Sequence, residues 1–205
     1  MGTKISLAQF SHAVARIHEA GAAPERWTDA LAAVMDLLEG SRISLMDIEA
    51  GSERLLGIAH LGHDPANARQ YAEHYFAIDP TLAACLSAPP LKAATVYEQF
   101  PKAQRDRHEY FDFARAACDI GDVIGVGTAE ACGRRAILSL QRPVGARAYA
   151  PEEKALVDLL APHVQLAKRV QSRLGEAWSG RSELEAAFDR LTIPAFVLDG
   201  LFRRF

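Results

Sequence analysis

Residues 136–173 constrain this chain more than any other stretch. Ala136-Ile-Leu-Ser-Leu-Gln-Arg142 reads as an apolar strand and Pro143 to Tyr149 as a turn. A long helix then starts at Pro151 and runs through Pro162-His163 to Val170 and beyond. From Glu152 to Gly175 it would extend on the order of 36 Å, at about 1.5 Å per residue. Leu156, Leu159, Leu160, Val164, Leu166, Ala167, Val170 and Leu174 form a stripe broader than one narrow seam, while Lys154, Asp158, Lys168, Arg169 and Arg173 face water. Such a stripe has two uses: packing wholly within one chain, or packing partly on its own sheet and partly on a second copy. The seam expected for a homodimer is Leu156, Leu160, Val164, Ala167, Val170 and Leu174. Pro162 removes a backbone hydrogen bond and predicts a bend, with His163 capping a freed carbonyl or packing.

Upstream, hydrophobic spacing defines the rest. Leu7, Phe10, Val14 and Ile17 make one face of a helix from Ser6 to Ala20, closed by Gly21. A second helix starts near Pro24 and carries Trp27, Leu31, Val34, Leu37 and Leu38. Arg42 to Ile48 alternates by twos as a half-buried strand and pairs with Arg54 to His60 as a hairpin. Asp64-Pro65 and Asp79-Pro80 start helices reaching Phe76 and Ser87, and Arg107 to Ala117 is a third. Ala94 to Glu98 reads as a short edge strand, and Asp122 to Thr128 as the strand before Ala136. Strands in hairpins with helices segregated between them predict an antiparallel α+β fold rather than a doubly wound sheet. Beyond the long helix, Gly175 to Gly180 predicts a loosening and Ser182-Glu-Leu-Glu185 a capping box for another helix through Leu191.

The helix Tyr71-Ala-Glu-His-Tyr75 leading to Asp79-Pro80 allows two readings. Tyr71 and Tyr75 are either core contacts one turn apart with Asp79 as an N-cap, or polar groups at the edge of an apolar cavity. Tyr110, Phe111 and Phe113 add an aromatic cluster. The candidate ligand-binding set is therefore Tyr71, Tyr75, Asp79, Tyr110, Phe111 and Phe113. His60 and His63 lie three apart with no evident third ligand, so no metal site is expected. Gly121 to Gly127 lies within a strand that leads to another strand, which excludes a phosphate-binding loop and leaves close packing or a bulge as the use of its glycines. No Gly-x-Ser-x-Gly elbow is present, and no catalytic pair is found. Catalytic residues, cofactors and metal are each expected to be none, and the chain is not expected to be an enzyme.

These elements, in order and spacing from about Leu31 to Asp199, resemble the N-terminal sensory region of bacterial LuxR-type helix-turn-helix transcriptional regulators. There a strand ending in Arg leads into a helix carrying Pro-His, and an aromatic helix leads into Asp-Pro. The resemblance implies a GAF/PAS-like antiparallel sheet flanked by helices with a long C-terminal signalling helix, a small-molecule ligand, and a parallel homodimer. In the pheromone-binding branch residues like Tyr71 and Asp79 line an acyl-homoserine lactone pocket. That branch carries Trp near this helix, whereas this chain has only Trp27 and Trp178, so the ligand implied is a different one. Ile193-Pro-Ala-Phe-Val-Leu-Asp199-Gly200 resembles the first strand of a PAS-like module. The expected organisation is a sensor domain at 1–150, signalling and dimerisation helices at 151–191, and the start of a PAS-like module at 192–205.

A net charge of -3, with both signs spread along the chain, argues against a nucleic-acid surface. DNA binding is expected only through a helix-turn-helix domain that these residues do not include. Three scattered cysteines argue against a disulfide framework, and no signal peptide or apolar span is evident, so the expected location is the cytoplasm.

Overall fold

A computed structural model describes residues 6–188, with side chains described for residues 6–175 other than Tyr97. The strand segment at residues 193–200 lies outside the described residues. Compactness divides the chain into Met1–Gln171 and Ser172–Phe205.

Helix α1 spans Leu7–Ala22, opened by a capping box in which the Ser6 hydroxyl accepts the Gln9 amide and the Gln9 side chain accepts the Ser6 amide. A 3₁₀ turn at Pro24–Arg26 leads into α2, Trp27–Leu37. Strands β1 (Arg42–Glu49) and β2 (Leu55–Leu61) form the hairpin, and α3 (Pro65–Glu73) and α4 (Pro80–Ser87) follow. Strand β3 is only Ala94–Thr95, because Thr95 and Glu98 form a second capping box that turns the chain into α5, Val96–Gln99. Then come α6 (Lys102–Arg105), α7 (Glu109–Ala116), β4 (Asp122–Gly127), β5 (Arg134–Arg142) and α8 (Pro151–Phe188). The glycines at 175 and 180 lie inside α8, and so does the Ser182 to Glu185 capping box expected to open a separate helix.

The sheet is antiparallel throughout, in the order β2-β1-β5-β4-β3. Side chains alternate across it, and each face has its own cover. Ile43, Leu45, Ile124, Val126, Ala136, Leu138 and Leu140 face α1, α2 and α8 in the main core. Ser44, Met46, Val123, Gly125, Ile137, Ser139 and Gln141 face the opposite way, toward α3, α4 and α7. Central β5 is thus buried on both sides, which explains its nearly continuous apolar run.

α8 belongs to the core from its first turn. Leu156, Val157, Leu160, Ala161, Val164 and Ala167 are all buried within this chain. The expected dimer seam is corrected accordingly: Leu156, Leu160, Val164 and Ala167 cover the sheet and α1, and only Val170 and Leu174 of that set stay exposed. Solvent instead meets Leu159 (61% exposed) and Leu166 (47% exposed). Gly21 lies within α1, and its role is to permit close approach. A Cβ there would stand 2.8 Å from the Cα of Ala167 on α8. His163 bonds a side chain and not a carbonyl, its Nδ1 lying 3.0 Å from His18 Nε2 on α1.

Buried charge pins the start of α8 to the sheet. Arg142, at the end of β5, donates to Glu153 (2.6 Å) and to the Leu38 carbonyl (2.8 Å), and lies 4.0 Å from the Tyr149 ring centre. Arg147 and the Ala150 amide also donate to Glu153. Burial raises the Glu153 pKa, but the hydrogen bonds from Arg147 and Arg142 outweigh it and bring it down to about 2. Among the described residues no helix is long and apolar enough to cross a membrane.

Candidate ligand cavity

Between the sheet and helices α3, α4 and α7 lies a cavity of about 80 Å³. Its walls are mainly apolar, with Met46, Ile58, Leu82, Val96, Phe113 and Ile137 among them. Gly125 brings α4 close to the sheet on this side, since a Cβ there would lie 2.9 Å from Cys85 Sγ. Cys85 also lines the cavity, and burial pushes its thiol up to about 12.

One polar group is built on Asp79. Its Oδ1 accepts the amides of Thr81 (2.8 Å) and Leu82 (3.2 Å) and the Thr81 hydroxyl (2.6 Å), which is the N-cap of α4. Its Oδ2 accepts the Tyr71 hydroxyl at 2.9 Å. The Tyr110 hydroxyl sits against Thr81 and Asp79. Burial raises the pKa of Asp79, opposed by these hydrogen bonds, and burial first, then the charge of Asp79, raises both tyrosines well above their ordinary value. Both phenols therefore stay protonated and act as donors. The N-cap and cavity-wall roles of Asp79 are not alternatives, because one carboxylate performs both.

A second polar group lies on the sheet and its edge. Ser44 and Ser139 hydroxyls are 2.8 Å apart, and Gln141 Nε2 donates to Ser139 Oγ at 2.9 Å. His60 and His63 line the same wall with rings edge to face, their centres 5.6 Å apart. Among the described residues no group of three His, Cys, Asp or Glu is arranged to hold a metal ion.

Of the residues singled out in the sequence, Tyr71, Asp79, Tyr110 and Phe113 line the cavity. Tyr75 and Phe111 do not, which corrects their assignment to the cavity wall. Tyr75 stacks flat on Phe113 with ring centres 3.8 Å apart, and Phe111 packs against Phe100, His108 and Tyr110. They support the wall from behind because neighbouring positions on a short helix point in different directions. Sequence reasoning missed Ser44, Asn67, Thr81, Ser139 and Gln141. The available signal was the pair Ser139 and Gln141, polar residues two places apart, and so on one face, in a strand otherwise apolar enough to be central.

No family model matches the chain, and no curated protein matches it. Solved structures do. The acyl-homoserine-lactone-dependent LuxR family transcription factor CepR2 from Burkholderia cenocepacia has a TM-score of 0.60 and 15% identity, covering 82% of this chain and 99% of its own. The ligand-binding domain of VqsR from Pseudomonas aeruginosa has a TM-score of 0.59 and 15% identity, covering 80% and 96%. A GAF domain/HD domain protein from Geobacter sulfurreducens has a TM-score of 0.53 and 11% identity, covering 79% and 97%. The chain has the α+β fold of GAF domains and of the ligand-binding domains of LuxR-type regulators.

Proposed function

We propose that this domain senses a small molecule in the cavity between the sheet and α3, α4 and α7, and passes its occupancy to α8. The observation that carries this reading is the cavity itself, an apolar chamber with a few oriented polar groups, as selective small-molecule recognition requires. The ligand-binding domains that share this fold add support. Ordinary ligand pockets begin at roughly 300 Å³, so a cavity of about 80 Å³ favours a compact ligand over a long acyl chain.

The route to α8 runs around the edge of the sheet. Ala94, Val96 and Gln99 line the cavity. Immediately beside them, the Ala93 amide donates to Asp158 Oδ1 on α8 (2.6 Å), and Lys154 on α8 donates to Glu98 (2.8 Å). A ligand that shifts Ala94 or Val96 therefore pulls on a segment tied to the first turns of α8. The output in this proposal is the geometry of a homodimer formed on the exposed face of α8, at Leu159, Leu166 and Val170. Those exposed leucines also favour a second reading, a partner that dimerises without any ligand.

Thermal denaturation with a panel of compact neutral compounds tests the proposal, comparing wild type with Ala114→Leu, whose added carbons fill the cavity. The proposal expects compounds that raise the melting temperature of wild type and leave the variant unmoved, by mass action on the folded state. Equal stabilisation of both proteins would place binding elsewhere. If no compound acts and the chain is dimeric throughout, the ligand-independent reading replaces this one.

A further inference from the structure

Two polar atoms of the cavity wall have no partner within the chain: Gln141 Oε1 and His63 Nε2. Gln141 is 5% exposed and rises from the central strand β5. Its amide is oriented by the bond from Nε2 to Ser139, which leaves Oε1 as an unused acceptor. His63 stands just beyond β2, beside the N-cap Asp64 of α3. Burial, then the charges of His60 and Arg42, lower its pKa to about 4, so near neutral pH its ring carries a single proton. Gln141 lies close enough to His63 to favour the protonated ring, yet neither atom completes a hydrogen bond. The Asp79 group is different: Tyr71, Thr81 and two backbone amides already occupy its carboxylate.

We infer that the polar end of the ligand is recognised at His63 and Gln141, and that the group bound there is a neutral hydroxyl. Gln141 Oε1 accepts only, so it selects a donor. A hydroxyl donates to Oε1 and, with the His63 ring in the tautomer that carries its proton on Nε2, accepts from that N–H with the same oxygen. A carbonyl or ether lacks the donor. An ammonium would lose its hydration in a mainly apolar chamber with no carboxylate free to pair with it at this end, and a carboxylate would meet the Oε1 lone pairs, so a charged group is disfavoured at either sign. Water can satisfy both atoms, so a ligand hydroxyl restores the bonds of the water it displaces, whereas a ligand without a donor removes them unreplaced. This assignment rests on the cavity being the ligand site.

Benzyl alcohol and benzyl methyl ether, which share the ring and oxygen and differ in the donor and one methyl group, serve as probes in titrations of the full chain followed by NMR. The change of their affinity ratio in the variants separates the donor from the methyl. Wild type is expected to bind the alcohol about tenfold more tightly, the effect of one added hydrogen bond to an otherwise unsatisfied buried acceptor. Gln141→Met, close in volume, is expected to reduce that ratio to about threefold or less, and His63→Phe to lower it in the same direction. His63 is only partly buried, so its variant gives a reading even where Gln141→Met fails to fold. Equal affinity of the two probes in wild type overturns the hydroxyl assignment while leaving the cavity as a ligand site. A preference for the alcohol that persists in the folded variants also overturns it. Binding of neither probe defeats the assignment and the ligand-site reading together.

Discussion

Replacing Glu153 by Gln removes the charge that holds β5, the following turn and the start of α8 together, while keeping the side-chain shape. In the folded protein the Glu153 pKa is about 2, against 4.5 for the free side chain. By linkage that difference corresponds to about 3 kcal/mol of stability at neutral pH, and solvent around the half-exposed Arg147 reduces it toward about 2 kcal/mol. The variant also leaves Arg142, which is almost wholly buried, facing a neutral amide, and breaking such a pair on one side costs about 3 kcal/mol. The expected loss for Glu153→Gln at about pH 7 is thus about 2–3 kcal/mol by urea denaturation. Because the folded pKa is depressed, the charged contribution is complete above the unfolded value of 4.5 and fades as pH falls toward about 2. The gap between wild type and variant should therefore narrow below about pH 4.5. A gap under about 0.5 kcal/mol, or one that stays constant through that range, would refute the reasoning.

Two further outcomes are expected. Gly21→Ala should destabilise the protein by about 1–3 kcal/mol in thermal melts, although Ala is intrinsically the better helix former, because its Cβ meets the α8 backbone at Ala167; a stabilised variant would show that α1 and α8 do not touch there. His63 has its pKa lowered from 6.5 to about 4, so wild-type stability should fall by about 2–3 kcal/mol as pH drops through that window, and His63→Gln should flatten the slope there.

Much of the fold was legible because periodicity alone sets it. The N-caps Asp64 and Asp79, the hairpin of β1 and β2, and the amphipathic α8 all follow from local pattern. What local pattern does not carry is which partner covers an apolar stripe. Leu156, Leu160, Val164 and Ala167 read equally as a dimer seam or as core, and only the tertiary arrangement shows that α1, α2 and the sheet occupy them. Gly21 reads as a helix stop, while its use depends on Ala167, far away in the sequence. The cavity shows the same division. Tyr71, Asp79, Tyr110 and Phe113 were visible as an aromatic and acidic cluster, but Tyr75 and Phe111 could be separated from them only by the side of the helix they occupy. Ser139 and Gln141 were hidden in a strand chosen for its hydrophobicity, and His63 was noticed only as half of a metal pair.

The most direct measurement of the central claim is hydrogen exchange on wild type and Asp158→Ala, each with and without a compound that stabilises wild type but not Ala114→Leu. Loss of Asp158 frees the Ala93 amide from α8 while leaving the cavity wall in place. The account predicts that the compound slows exchange in residues 93–99 and in the first turns of α8 of wild type, and that in Asp158→Ala only the cavity segments still respond. A bound compound that changes exchange around the cavity and leaves α8 untouched in wild type would contradict it.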